Sequence, residues 1–192
     1  PIQAGCVVNC AGLWGDRLDS ALLGHADFAI RPRKGQFAVF DKAAAPFLRT
    51  TLLPVPTERT KGIVLARTAF GNLLVGPTAE DQEDRERAST DSATRARLIA
   101  QAVRMVPALA DMPVTAAYAG LRPATEEKDY RILAKPERHW ITVGGIRSTG
   151  LTGALGIARH VWSLYRGFAA AHAALASPRW PRPSSRSERW SG

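Results

Sequence analysis

Between Gly145 and Gly150 the chain places Arg147, Ser148 and Thr149, one cation and two hydroxyls on glycine-flanked backbone. The stretch "GGIRSTGLTGALGIARHV" (144–161) leaves a strand-like run, "WITVGGI", and enters an apolar helical run. A helix N-terminus carries unpaired N–H groups and a partial positive charge. Glycine lets that backbone approach a bound group closely. The junction is therefore either a plain strand-to-helix connection or a cradle for an anion, and its residues alone leave both open.

Two more stretches hold residues suited to binding chemistry. In "YAGLRPAT" (118–125), Pro123 biases Arg122 toward extended backbone. A guanidinium held that way suits a two-point grip on a carboxylate or phosphate. The competing reading pairs Arg122 with Glu126, Glu127 or Asp129. In "NCAG" (9–12) a strand ends in Asn, a small residue and Gly. That position, at a strand's carboxyl end, is where open α/β sheets hold ligands.

Other chemistries lack their residues. The chain has no GxGxxG, P-loop, HExxH or GxSxG. His25, His139, His160 and His172 show no ligand spacing and read as surface or packing residues. Cys6 and Cys10 stand four apart in one strand-like run, on one face. A disulfide between them would distort the strand, and a metal would need more ligands than are nearby. They are expected as reduced, buried thiols, and no metal site is expected.

The 192 residues are 45% hydrophobic and 22% charged, as in a soluble globular protein. The net charge is +9, of which the Arg-, Pro- and Ser-rich end "SPRWPRPSSRSERWSG" (177–192) supplies +3. The rest is scattered without a basic stripe or interleaved aromatics, so a nucleic-acid partner is not expected. An anionic small ligand accounts for the charge equally well. No apolar run approaches the roughly 18 residues of a membrane span. The opening "PIQAGCVVNCAG" has no signal-peptide pattern and no initiator Met. A cytoplasmic fragment of a longer protein is expected, and peripheral membrane contact is compatible with it.

These residues must be carried by elements, and the patterning suggests which. "GCVVNCAG" (5–12) reads as a strand buried on both faces. In 13–24 a helix gathers Leu13, Leu18, Leu22 and Leu23 on one side and stops at Gly24. Strands are predicted in 30–42, 50–56, 61–69 and 72–79, with a hairpin turn at "FGN" (70–72). Residues 80–90 read as a solvated charged stretch. A helix over about 92–106, capped by Thr90 or Asp91, buries Leu98, Ile99, Ala102, Met105 and Val106 and ends at Pro107. Strands follow at 114–125, 129–135 and 139–146, then a helix over about 151–176. The expected fold is α+β: an antiparallel sheet flanked by strands and helices of a second, incomplete domain. The expected boundaries are 1–29 and 139–176 for that second domain, 30–138 for the sheet domain, and 177–192 for a disordered tail.

Taken together and in order, "VVNCAGLWGDRL", "RPRKGQFAVFDK", "LLPVPTERTKG", "GNLLVGPTAEDQEDR", "YAGLRPAT" and "VGGIRSTGLTGALGIA" resemble the carboxyl-terminal half of FAD-dependent oxidoreductases of the D-amino-acid-oxidase-like superfamily. Within it, the glycerol-3-phosphate dehydrogenase-like and 2-hydroxyacid-oxidising branches look most similar. The resemblance implies FAD as cofactor and a small acidic substrate: glycerol 3-phosphate, a 2-hydroxy acid or an amino acid. It places Ala11, Gly12 and Trp14 close to the flavin, and Gly145, Ile146, Arg147, Ser148, Thr149, Gly150, Leu151 and Thr152 along it. Arg122 would grip the substrate's acidic group, with Arg147 at substrate or flavin. Hydride arrival leaves negative charge at the flavin's pyrimidine edge, which a helix N-terminus stabilises. The family's amino-terminal GxGxxG unit is missing here, and with it the catalytic base of several relatives. The resemblance thus implies three partners: that missing FAD-binding segment, the substrate and an electron acceptor. The alternative is a non-catalytic module that binds an anion.

Overall fold

The computed structural model describes residues 4–55 and 62–169. The predicted 177–192 tail, the far end of the last helix, His172, and Pro56 to Lys61 lie outside the described residues. The chain forms two sheets. The first contains β1 (Val7–Asn9), β8 (Trp140–Gly144) and β7 (Arg131–Lys135), in the order β1-β8-β7. β1 runs parallel to β8, with Val7 opposite Trp140 and Asn9 opposite Thr142, and β7 is antiparallel to β8. The first and last thirds of the chain thus meet in one sheet.

The second sheet is built on β2 (Ile30–Phe40). On one edge it pairs along its whole length with β6 (Val114–Thr125), from Ile30 opposite Thr125 to Phe40 opposite Val114. On the other edge it pairs with β4 (Leu73–Gly76), and nearer its start with β5 (Glu80–Asp81). β3 (Val64–Arg67) completes a hairpin with β4 through the predicted turn. All these pairings are antiparallel, as the sequence indicates.

Alternation along β2 decides its faces. Ala38 and Phe40 are fully buried, and Leu65, Leu73 and Val75 join them from β3 and β4. Helix α2 (Ser92–Met105) closes this side with Leu98 and Ala102. Each large apolar side chain so buried contributes about 1.5–3 kcal/mol. Asp91 caps the helix by accepting from the Thr94 N–H, and Val106 and Pro107 end it. The opposite face of the sheet stays open. There Phe37 and Tyr118 stack with ring centroids 4.9 Å apart.

Several sequence expectations need correction. Residues 5–12 hold only a three-residue strand, which among the described residues pairs with β8 alone, and its Val7 and Val8 are exposed. Cys10 is accordingly exposed and Cys6 half-buried, although both are free thiols. Leu52 makes a single bridge to Leu65 where a strand was predicted. Helix α1 (Gly15–Leu23) turns its acidic side inward: Gly15, Asp16 and Asp19 are buried and Leu22 is exposed. The stretch 80–90 is not simply solvated, since it forms β5 and sends Arg85 inward. Helix α3 (Gly150–Arg166) follows its predicted start, yet none of its residues is buried. Leu151 and Leu155 are 96% and 88% exposed. No helix among the described residues is long and apolar enough to cross a membrane.

Candidate functional site

Parallel strands release their following turns at the same end of a sheet. The turn after β1 (residues 10–14) and the turn after β8 (residues 145–149) therefore lie side by side. Together with α3 they line an apolar cleft of about 970 Å³, into which Cys6, Cys10, Gly12, Gly145, Arg147 and Gly150 open. Ile146 joins the lining, as does Pro123, the residue after Arg122. Ala11, Trp14, Ser148, Thr149, Leu151 and Thr152 stand on the same two turns and helix start but are not part of that lining. Of the predicted site residues, the fold thus brings the two glycine-bearing groups together.

The turn after β1 is fixed from below. Asn9 donates to the Gly15 carbonyl at 2.8 Å and accepts from the Ala11 N–H at 3.0 Å. Its second Nδ2 hydrogen goes to Asp19 at 2.7 Å. Asp19 also accepts from the Trp140 indole and the Thr142 hydroxyl, so α1, β1 and β8 are pinned through one buried carboxyl group. Trp14 leaves this turn partly exposed, with the Arg17 and Arg85 guanidiniums 4.8 and 5.9 Å from its ring centre.

The turn after β8 is held in left-handed backbone. Gly145 has φ +65°, and Arg147 takes φ +57° despite its side chain. A non-glycine residue in this region costs on the order of 1–2 kcal/mol. The Arg147 guanidinium donates to the Glu127 carbonyl, while its Nε is buried with no hydrogen-bond partner among the described residues. The Tyr130 hydroxyl meets Thr149 at the start of α3, and no side chain among the described residues caps that helix. Its first N–H groups are thus not taken up by a capping side chain.

Arg122 sits on the open face of the second sheet, cross-strand from Arg33. It does not pair with any of the three carboxylates considered from sequence. Glu127 takes Arg131, Glu126 takes the Ala29 N–H, and Asp129 takes the Tyr130 N–H. Arg122 donates instead to three backbone carbonyls: Thr78 at 2.6 Å, Lys34 at 3.3 Å and Arg33 at 3.4 Å. The room for this comes from Gly35, where an added Cβ would fall 2.9 Å from Arg122 Nη2. Arg33 is neutralised by Asp81 at 2.6 Å. Burial, and secondarily Arg33, lower the Arg122 pKa from its ordinary value. What results is an oriented guanidinium with no ion pair of its own among the described residues, on the same sheet face as the Phe37–Tyr118 stack four positions along β6.

Sequence reasoning missed Asp16, Asp19, Arg85, Gly35 and the Phe37–Tyr118 pair. Arg85 is indistinguishable from its charged neighbours in "EDQEDRERAST". The pairing of Phe37 with Tyr118 needs a strand register that no local pattern gives.

Comparison with known proteins follows the same lines. The profile of a family described as FAD dependent oxidoreductase matches residues 2–164. The chain is 34% identical over 164 residues to a glycerol 3-phosphate dehydrogenase of Caloramator mitchellensis, covering 85% of this chain and 34% of that protein. It is 34% identical over 158 residues to a glycerol 3-phosphate oxidase of Mycoplasma pneumoniae, covering 80% of this chain and 40% of that protein. The solved L-alpha-glycerophosphate oxidase of Mycoplasma pneumoniae with FAD bound superposes with a TM-score of 0.74 at 30% identity, over 84% of this chain and 42% of that one. The chain spans about a third to two fifths of the length of these proteins.

Proposed function

Because the chain belongs to the family of FAD dependent oxidoreductases, we propose that it is the carboxyl-terminal part of a flavoprotein dehydrogenase or oxidase. Its substrate is a small acidic molecule with a C–H beside a hydroxyl or amine: glycerol 3-phosphate, a 2-hydroxy acid or an amino acid. The observation that carries this reading is the parallel β1–β8 pair, which brings the turns at Gly12 and Gly145 to one cleft.

The residues at that cleft suit FAD. Gly12, at φ +55°, has nothing within 4 Å of where a Cβ would stand, so its backbone faces open space. The partnerless Arg147 Nε and the uncapped start of α3 are donors for an anionic or carbonyl edge. Gly12 would face one side of the cofactor, and Gly145, Ile146, Arg147 and Gly150 the other, with Ala11, Trp14, Ser148, Thr149, Leu151 and Thr152 behind them on the same turns and helix start. When bound, the flavin supplies the acceptor for the substrate's hydride.

The chain's own residues then have distinct tasks. Arg122 binds and orients the substrate's acidic group, because its backbone anchors fix the guanidinium without cancelling its charge. The Phe37–Tyr118 stack adds apolar surface on the same sheet face, four positions along β6. Arg147 serves substrate or flavin. The start of α3 favours negative charge at its end. The proton acceptor for the substrate is assigned to the segment that also carries the family's nucleotide-binding glycines, and the exposed faces of β1 and α3 are where that segment would pack.

The test is the full-length protein that carries this chain. It should purify yellow, and anaerobic addition of glycerol 3-phosphate, a 2-hydroxy acid or an amino acid should bleach the visible band. A colourless full-length protein that takes up no FAD would refute the reading. If it nonetheless bound phosphate, the non-catalytic anion-binding module would replace it.

A further inference from the structure

We propose that Arg85 is a positioning residue that locks the sheet carrying Arg122 to the turn carrying Trp14, and so sets substrate against flavin. The inference rests on the functional reading above. Its evidence is the way the residue is built in. Arg85 Nη1 donates to Asp16 at 2.5 Å and to the Leu13 carbonyl at 2.6 Å. Nη2 donates to Asp16 at 2.8 Å and to the Ile30 carbonyl at 3.1 Å. The two side chains are only 12% and 10% exposed. One guanidinium thus ties the turn before α1, the first turn of α1 and the first residue of β2.

Both ends of this clamp are braced. Asp16 also accepts from the Ile30 and Arg17 N–H groups, which fixes its carboxylate. The segment bearing Arg85 is held by Gln82, which donates to the Asp84 and Arg87 carbonyls, and by Asp84, which accepts from the Glu86 and Arg87 N–H groups. That segment follows directly on β5, whose Asp81 holds Arg33, the cross-strand neighbour of Arg122. On the other side Arg85 stands 5.9 Å from the Trp14 ring centre. A planar two-pronged donor is needed for this geometry, and lysine offers none.

The experiment compares Arg85→Lys and Arg85→Met with wild type in the full-length flavoprotein. Anaerobic flavin bleaching is followed at increasing substrate, beside flavin content and thermal unfolding. Misalignment predicts a limiting bleaching rate at least tenfold lower in both variants. Half-saturating substrate and flavin content stay within about threefold, and lysine does not rescue. Wild-type limiting rates in a variant that merely melts earlier would overturn the proposal and leave Arg85 a structural strut. Rescue by lysine would overturn the two-pronged geometry. Should Arg85→Met fail to fold, Arg85→Lys decides alone. If wild type takes up no flavin, the functional reading fails instead. The clamp is then judged in the present chain by the Trp14 indole resonance: a shift in Arg85→Lys supports it, and an unchanged signal overturns it.

Discussion

Asn9 donates to Asp19 across 2.7 Å, and both are 2% exposed. The Asp19 carboxyl group collects Asn9, Trp140 and Thr142, all neutral. Asp19→Ala strands these donors in the interior, at about 1–3 kcal/mol each. Urea unfolding should show a large loss, with a smaller one for Asp19→Asn. A change under about 0.5 kcal/mol would contradict the network.

Arg122→Ala in the full-length protein removes a charge-assisted bond to the substrate's acidic group. The expected loss is about 1.5–3 kcal/mol, read as a tenfold to hundredfold rise in KM with flavin content unchanged. Loss of flavin instead would place Arg122 at the cofactor.

Gly145→Val puts a branched side chain at φ +65°, with its Cβ 3.1 Å from Thr125 Cγ2. The backbone penalty alone is on the order of 1–2 kcal/mol. The turn should distort, with a lower Tm and less flavin retained on gel filtration. Gly156→Ala, on open helix surface, should raise stability by up to about 1 kcal/mol.

Acid should weaken the fold through specific carboxylates. The Thr94 N–H and Gln36 hold Asp91 at about 2, below its ordinary 3.8. Burial raises the Asp16 pKa, but Arg85 and the Ile30 N–H outweigh it and hold the group below the usual carboxylate range. Depressed folded pKa values contribute stability above the unfolded value, and it is lost as pH falls through the folded one. Unfolding free energy should therefore drop between about pH 5 and pH 2, and Asp91→Ala should flatten that slope. An unchanged slope in the variant would show that Asp91 is not linked.

Leu155 on α3 is 88% exposed. Leu155→Glu should change the stability of this chain by no more than about 0.5 kcal/mol. In the full-length protein the proposed packing of a further segment on this face predicts that the same change impairs assembly and flavin uptake. Cys10 reports on the same cover: its thiol should react rapidly with a maleimide in this chain and slowly in the full-length protein. Equal rates would mean the cleft stays open.

The sequence by itself determined most of the order of elements, the antiparallel middle, the hairpin at "FGN" and the junction at Gly145–Gly150, though not β5 or the single bridge at Leu52. Those features depend on local backbone preference and on alternation, which neighbouring residues dictate. Tertiary structure alone decided which side of α1 faces inward. Its leucine spacing favours the apolar side, but Arg85, Trp140 and Thr142 arrive from distant elements and make burial of Asp16 and Asp19 favourable. It likewise decided that Arg122 rests on backbone carbonyls, with no ion pair of its own among the described residues, because Gly35 lies across the strand pair and opens the space. The apolar pattern of β1 and α3 reads from sequence as burial, yet Val7, Val8, Leu151 and Leu155 are exposed here. Local pattern records which face is apolar, and only the packed chain shows what lies against it.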